Sequence, residues 1–314
     1  GPVVLPACPL MHSTGLTTAM VALVSGCCIV LLPNETFDAE SCLSEIDKHK
    51  VERVAIVGDA FSIPILDCLR QYSDQYDLSS VQLISSAGAM WSEPRKRELL
   101  EYFPNATLSD SLGSSEGSRL GSSIMTRGES IGTACFKVGP SVKVFSEDFK
   151  EVEAGSGEAG MIAKAGPMPL GYYKDEAGTE KTFPTIDGVR YSMAGDWCRI
   201  EKDGTMTLLG RGNNCINSGG EKIYPEEVEE GLKQVPEILD AAVIGMPDER
   251  WGQAVTALIR MQQGKIFDEE QVTLHLKAGL ARYKHPKVYK VVADDFRHDN
   301  GKINYRAAQA MLEG

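Results

Sequence analysis

Two carboxylates, two cations and a histidine stand beside glycines or hydroxyls in this 314-residue chain. Asp196 ends Tyr191-Ser192-Met193-Ala194-Gly195-Asp196, and Arg211 follows Gly210. Glu116 lies in Leu112-Gly113-Ser114-Ser115-Glu116-Gly117, Lys302 in Asn300-Gly301-Lys302-Ile303, and His12 in Pro9-Leu10-Met11-His12-Ser13-Thr14-Gly15. Carboxylates accept hydrogen bonds or hold cations, ammonium and guanidinium groups meet anions, and imidazole does either. Each also has an ordinary explanation: a solvated turn acid for Asp196, a loop carboxylate for Glu116, surface cations for Arg211 and Lys302, a helix cap for His12.

The elements that must position them are legible from pattern. Val3–Leu5, Cys28–Leu32, Arg53–Val57, Val81–Ile84 and Thr107–Leu108 read as buried strands. Leu16–Val24, Ala39–Lys50, Phe61–Tyr72 and Pro94–Tyr102 read as the helices between them. That alternation implies βαβ units on a parallel sheet, whose ligands gather at the carboxyl ends of the strands. From about Ile131 to Arg211 short alternating runs separated by Gly and Pro (Ser141–Phe145, Gly160–Ala163, Arg190–Ser192, Trp197–Glu201, Thr205–Leu209) imply a small all-β unit, a barrel or sandwich. Asp203-Gly204 is a hairpin signal within it. After Gly212 an α+β unit follows. Its helices are Pro225–Gln234, Asp268–Ala278 and Tyr305–Leu312; its strands are Leu239–Ile244, Ala254–Arg260 and Val288–Val292. Pro225 and the early glutamates suit the positive end of the first helix. The expected fold class is therefore α/β: an α/β subdomain over 1–130, a β-barrel over 131–212 and an α+β domain over 213–314.

Composition narrows the function classes. With 42% hydrophobic residues the chain is too apolar for disorder. A net charge of −12 and a pI near 5.0 exclude a protein that works through a basic, nucleic-acid-binding face. The longest apolar run, Met20 to Leu32, is broken by Ser25 and Gly26 and is shorter than the ~20 residues a membrane span needs. No signal peptide is expected at Gly1-Pro2, and the start without Met suggests a tag remnant or an internal start. The eight cysteines have no C-x-x-C spacing and read as reduced core thiols of a cytoplasmic protein, with Cys27 and Cys28 on opposite faces of one strand.

The order of the motifs says more than any one of them. His12 and its neighbours come first, then Ser86-Ala87-Gly88-Ala89-Met90, then Leu112 to Glu116, then Gly171-Tyr172-Tyr173. Next come Tyr191 to Asp196, then Gly210-Arg211 through Ser218-Gly219-Gly220-Glu221-Lys222-Ile223-Tyr224-Pro225-Glu226-Glu227-Val228-Glu229, and last Asn300 to Ile303. This series resembles the adenylate-forming superfamily over essentially the whole chain. The stretches after Gly219 and around Asp196 are most similar to bacterial fatty-acyl and sterol side-chain CoA ligases.

The resemblance implies a two-step reaction. A carboxylate attacks the α-phosphate of MgATP to give an acyl-adenylate, and CoA then displaces AMP to give a thioester. It implies that Asp196 and Arg211 hold the ribose, that Glu116 binds Mg²⁺, and that Ser115 stands where a phosphate-binding Thr is usual. Gly88 and Ala89 would let backbone approach the adenine, against which Leu112 packs beside Gly113. Lys302 would be the adenylating lysine, and His12 would sit where the acyl and pantetheine channels meet. Gly219 and Gly220 would line the pantetheine path after rotation about a hinge at Asn213. The implied partners are a fatty or sterol-derived carboxylic acid, ATP and CoA, with no nucleic acid; a homodimer is left open.

Departures from the pattern follow. No Ser/Thr/Gly-rich phosphate loop ending in Lys-Gly precedes His12, so the chain reads as the C-terminal portion of a longer enzyme. Leu112 replaces the usual aromatic, Ala194 a Thr, Asn213 the hinge residue that is commonly Asp or Lys, Asn214 the acid common after it, and Arg297-His298-Asp299-Asn300 the usual Pro and small residues before Lys302. Two other readings stay open: an amino- or aryl-acid adenylation domain that loads a carrier protein, and a non-catalytic nucleotide-binding fragment. No carrier motif follows Gly314, which speaks against a fused carrier.

Overall fold

The computed structural model describes residues 1–313 except Glu35, Asp299 and Asn300. It contains two compact units. One comprises Gly1–Val142, Pro167–Pro169 and Asp299–Lys302; the other comprises Lys143–Gly166, Leu170–His298 and Ile303–Gly314.

The first unit runs β1 (Val3–Pro6), α1 (Ser13–Val24), β2 (Cys28–Ile29), α2 (Ala39–His49), β3 (Arg53–Ile56), α3 (Gly58–Tyr72), β4 (Leu83–Ala87), α4 (Glu93–Tyr102), β5 (Thr107–Ser114), β6 (Ser118–Met125) and β7 (Cys135–Val138). Its strands lie in the order β7-β6-β5-β4-β3-β1-β2. The ladders from β5 to β2 are parallel, as the alternation predicts, and β5–β6 and β6–β7 are antiparallel. Leu5, Ile56 and Leu108 from the strands pack with Leu43, Phe61, Leu66, Leu69 and Leu99 from the helices. Asp38 caps α2 by accepting the Ser41 amide at 2.8 Å, the role short acids favour before a helix.

Several boundaries differ from the sequence reading for physical reasons. Val81 is a buried turn residue whose amide donates to Leu78, and the strand begins only at Leu83. Strand β5 continues to Ser114 and pairs with the unforeseen β6. Both are rich in Ser and Gly, so they lack the apolar alternation that betrays a strand. Helix α1 buries Gly15, Ala19 and Ala22, while Leu16, Met20, Leu23 and Val24 are exposed. The expected core cysteines need correction. Cys8, Cys42 and Cys198 are buried, but Cys28 is exposed and Cys27 sits in the turn before β2. Gly26, at φ +67, interrupts the run, so these two residues do not alternate across one strand.

The second unit begins within β8 (Val142–Phe145), at Lys143, and continues with β9 (Gly160–Ala165), α5 (Glu176–Thr182), β10 (Thr185–Ile186), β11 (Val189–Ser192), β12 (Asp196–Ile200) and β13 (Met206–Arg211). Its order is β10-β11-β9-β12-β13, with β8 against β9. The predicted hairpin joins β12 to β13: Gly204 has φ +79, and Asp203 accepts from the Thr205 amide at 2.9 Å and its hydroxyl at 2.6 Å.

A short 3₁₀ turn, Gly212–Asn214, leads to β14 (Ile216–Ser218), β15 (Glu221–Ile223), α6 (Pro225–Lys233), β16 (Ile238–Asp248), β17 (Gly252–Met261), α7 (Glu269–Gly279), β18 (Val288–Val291) and α8 (Tyr305–Glu313). The sheet order is β15-β14-β17-β16, with β18 parallel to β17. Helix α6 starts at Pro225 with Glu226 and Glu227 in its first turn, and it buries Val228 and Leu232 against β16.

Candidate active site

In the first unit the chain leaves β1 at Pro6, turns, and enters α1 with His12 at the cap position. The His12 side chain makes no capping bond, so the helix-cap explanation does not hold. The turn folds tightly onto the helix: a Cβ at Gly15 would lie 2.5 Å from the Pro9 carbonyl oxygen. From α1 the Thr14 hydroxyl donates to the Ala87 carbonyl at 3.2 Å, joining the helix to the carboxyl end of β4.

There the backbone turns at Gly88, with φ +96, a torsion that favours glycine. The loop after β4 is pinned to the start of α3. The Gly58 amide donates to Ser86 Oγ at 2.8 Å, and the Asp59 amide donates to the Met90 carbonyl at 3.1 Å. Asp59 Oδ1 accepts from the Ser92 amide and hydroxyl, each at 3.0 Å. Beneath the loop, Lys96 Nζ donates to Asp110 at 2.6 Å and lies 5.3 Å from the centre of the Trp91 ring. Burial pushes the Asp110 carboxyl above its ordinary range, against the opposing pull of Lys96.

The neighbouring hairpin carries Leu112, Gly113, Ser115 and Glu116. Strand β5 bulges between Leu112 and Gly113, where a Cβ at 113 would lie 2.7 Å from the Ser118 carbonyl oxygen. Bulges of this kind re-aim side chains beside functional sites. The Gly117 amide donates to Ser114 Oγ at 2.9 Å and shapes the tip, where Glu116 is half-buried. Glu116, preceded in the chain by Ser114 and Ser115, offers one carboxylate. Among the described residues no group of three or more His, Cys, Asp or Glu could hold a metal ion by itself, so a hard divalent cation here would draw its other ligands from phosphate oxygens.

Gly301 delivers Lys302 to this region. Its φ is +83, and a Cβ there would come within 2.5 Å of Ala60 Cβ on α3. His12, Ser13, Thr14, Gly88, Ser115 and Lys302 line one cleft of about 240 Å³. Four residues singled out from sequence (His12, Gly88, Ser115 and Lys302) thus meet there, with Ala89 and Glu116 next to them in the chain.

The second unit holds the other predicted residues. Asp196 opens β12 and is 7% exposed. Arg211, opposite it on β13, donates from Nε to Asp196 Oδ1 at 3.2 Å while its side chain stays half exposed. This is a carboxylate held at a rigid edge with a guanidinium fork beside it, not a loose turn acid. Behind the pair, Glu226 of α6 accepts from the Arg211 amide at 3.2 Å. Burial raises the Glu226 pKa. Asn213 occupies the 3₁₀ turn and has no left-handed torsion. Gly219 and Gly220 form the β14–β15 turn at φ +61 and +87. Trp251 crowds that turn: its carbonyl accepts from the Gly219 amide at 2.9 Å, and a Cβ at 219 would lie 2.7 Å from its ring.

Sequence reasoning missed the residues that hold these parts in place: Thr14, Asp59, Ser92, Lys96, Asp110 and Glu226. Lys96 looks like a solvated helix charge, and only its position on the inner face of α4 reveals otherwise. For Asp59, the sole signal is a short acid just after Gly58.

The first unit thus holds a strand-end cleft lined by a lysine that follows a left-handed glycine, and the second unit holds a buried carboxylate paired with a guanidinium. By family comparison the chain belongs to the AMP-binding enzymes. That family's model matches residues 1–173, and the model for the AMP-binding enzyme C-terminal domain matches 227–302.

Among characterised relatives is a medium/long-chain-fatty-acid–CoA/3-oxocholest-4-en-26-oate–CoA ligase of Mycolicibacterium smegmatis. It is 41% identical over 312 residues, which cover 98% of this chain and 56% of that protein. A 3-oxocholest-4-en-26-oate–CoA ligase of Rhodococcus rhodochrous is 39% identical over 97% of this chain and 55% of its own length. The chain therefore spans little more than half the length of these relatives. Among solved structures, ATP-bound MatB from Rhodopseudomonas palustris has a TM-score of 0.83 at 26% identity, covering 99% of this chain and 60% of MatB. An anthranilate-CoA ligase in complex with anthranoyl-AMP shares the fold, with a TM-score of 0.86 at 24% identity over 99% of this chain and 60% of its own. Among the described residues no helix is long and apolar enough to cross a membrane.

Proposed function

We propose that this chain is the catalytic C-terminal portion of an AMP-forming acyl-CoA synthetase acting on a fatty or sterol-derived carboxylic acid. The observation that carries the reading is the shared cleft of Lys302, His12, Gly88 and Ser115. The names of the relatives support the acyl class.

In the first step a carboxylate oxygen bonds to the α-phosphorus of ATP and the bond to pyrophosphate breaks. Lys302 bridges the attacking carboxylate and the α-phosphate, offsetting negative charge as it builds there. Ser115 donates to a phosphate oxygen, and Gly88 and Ala89 leave room for the adenine beside Leu112 and Gly113. Asp196 accepts from the ribose hydroxyls while Arg211 adds donors. A magnesium ion, when bound, supplies charge neutralisation at the phosphates, and Glu116 is the residue to hold it.

In the second step the CoA thiol gives up its proton to water as its sulfur bonds to the acyl carbon, and AMP departs with the electrons of the broken C–O bond. His12 lines the meeting point of acyl group and thiol, and Gly219-Gly220 borders the pantetheine path after rotation at Asn213. ATP and CoA are metabolites of the cytoplasm, which is what supports a cytoplasmic location.

The test is acid- and CoA-dependent AMP formation from MgATP, with Lys302→Ala as the control. Activity that disappears in Lys302→Ala supports the reading for the 314-residue chain itself. An inactive chain that regains turnover when polypeptide homologous to its relatives is added upstream supports a split catalytic centre. A longer chain that binds AMP and stays inert would leave only nucleotide binding.

A further inference from the structure

Lys302 adjoins two buried clamps. On the upstream side, Arg297 donates from Nε to Asp240 Oδ2 at 2.6 Å and from Nη2 to Oδ1 at 2.7 Å. The side chains are only 12% and 3% exposed, and Asp240 lies on β16. Burial alone would raise the Asp240 pKa, but the guanidinium and its hydrogen bonds outweigh that and hold it below the ordinary range. The Arg297 backbone bridges Ile303, the residue after Lys302, and the Asn304 amide donates to the Phe296 carbonyl at 2.9 Å.

On the downstream side, the Tyr305 hydroxyl donates to Glu229 Oε1 at 3.1 Å. Glu229 lies on α6, is 3% exposed, and also accepts from the Val243 amide at 2.9 Å. Asn304 then caps α8 by accepting the Ala307 amide at 3.0 Å.

We propose that Arg297 and Tyr305, clamped on Asp240 and Glu229, are positioning residues that set the backbone from which Lys302 reaches the activated carboxylate. This rests on the role assigned to Lys302 above. A lysine stem is long and freely rotating, so the ammonium can be placed well only if its own backbone is fixed. A buried bidentate pair and a buried hydrogen bond from a phenol to a carboxyl group, reaching β16 and α6, fix it from both flanks. Misplacement of a reacting group by about an ångström costs on the order of a hundredfold in rate.

Two measurements test the proposal. Hydrogen exchange on the 314-residue chain compares wild type with Tyr305→Phe and Arg297→Lys. Both substitutions are small enough to spare the fold. The Asn304 amide is expected to exchange about tenfold faster or more while Ala241 and Leu258 keep their protection, because a clamp is lost and the core is not. Unchanged exchange at Asn304 overturns the proposal, as does uniform loss across β16 and β17.

In the active enzyme, acid-dependent ATP–pyrophosphate exchange is expected to fall about tenfold in Tyr305→Phe, with the KM for ATP unchanged. Thioester formation from preformed acyl-adenylate should stay near wild type. An equal loss in both half-reactions marks a merely structural role and also overturns the proposal. If Lys302→Ala leaves pyrophosphate exchange intact, the lysine assignment itself falls. If Lys302→Ala abolishes exchange and Tyr305→Phe is silent, only the positioning role falls.

Discussion

The Lys96 ammonium and the Asp110 carboxylate meet at 2.6 Å with side-chain exposures of 2% and 7%, joining α4 to β5 beneath the loop that carries Gly88. Two ions so far from water are tolerable only as a pair, because each alone would bear the full cost of desolvation.

Lys96→Met should therefore destabilise the first unit by about 3–5 kcal/mol, as breaking a buried pair from one side does. Asp110, already pushed up by burial, would then take a proton. The double variant Lys96→Met/Asp110→Asn should recover much of the loss, since it leaves no uncompensated charge. Denaturant unfolding of the three proteins decides this. If the single variant is as stable as wild type, the pair is not holding the loop.

At Gly301 two constraints coincide. The torsion is left-handed and a Cβ would overlap Ala60 at 2.5 Å. Gly301→Ala should lower Lys302-dependent turnover about tenfold to a hundredfold and also cost about 1–3 kcal/mol of stability through the left-handed torsion. Ala60→Gly in the same chain should restore part of the loss by removing the overlap but not the torsional strain, which is worth about 1–3 kcal/mol. Full rescue would mean that the overlap alone matters; none would mean that the torsion does.

The Asp196–Arg211 pair predicts a binding effect without a stability effect. Calorimetric titration with AMP should show about tenfold to hundredfold weaker binding in Asp196→Ala, the equivalent of charge-assisted hydrogen bonds worth ~1.5–3 kcal/mol. Arg211→Lys should lose less, because it keeps the charge and gives up only the fork. Equal affinity in wild type and Asp196→Ala would remove Asp196 from the ribose site.

The sequence was most informative where chain geometry is local. The βαβ alternation, the Asp203-Gly204 hairpin and the Pro225 helix start follow from residue types alone, and the structure contains all three. The strand β6 was not legible, because it and β5 are built from Ser and Gly around a bulge and carry no apolar period. Candidate site residues were named from an ordered set of motifs. Their supports are long-range: Lys96 with Asp110, Arg297 with Asp240, and Glu229 with Tyr305 are contacts between elements, and no periodicity encodes them. The cysteines fail for a related reason. Cys28 lies on a two-residue edge strand, where apolar composition does not ensure burial.

Glu229 makes stability depend on pH with a defined sign. Burial first, then the neighbouring Glu226 charge, lifts its pKa from 4.5 to about 8, against the opposing Val243 amide and the Lys233 and Arg297 charges. The folded state therefore binds a proton that the unfolded chain has released throughout that interval. The associated stability is fully present below the unfolded value and is lost as pH rises through the folded one. Unfolding free energy should fall between about pH 5 and 8, with a contribution from this single proton of at most about 1.4 kcal/mol per pH unit. Glu226, raised as well by burial, adds to the same direction. Glu229→Gln keeps an acceptor for Tyr305 and Val243 but cannot ionise, so its stability should be flatter across the window and should exceed wild type at the alkaline end. Urea unfolding at a series of pH values reads the difference directly. Parallel curves for the two proteins would mean that Glu229 is ionised in the folded state and that its hydrogen bonds alone sustain the buried charge.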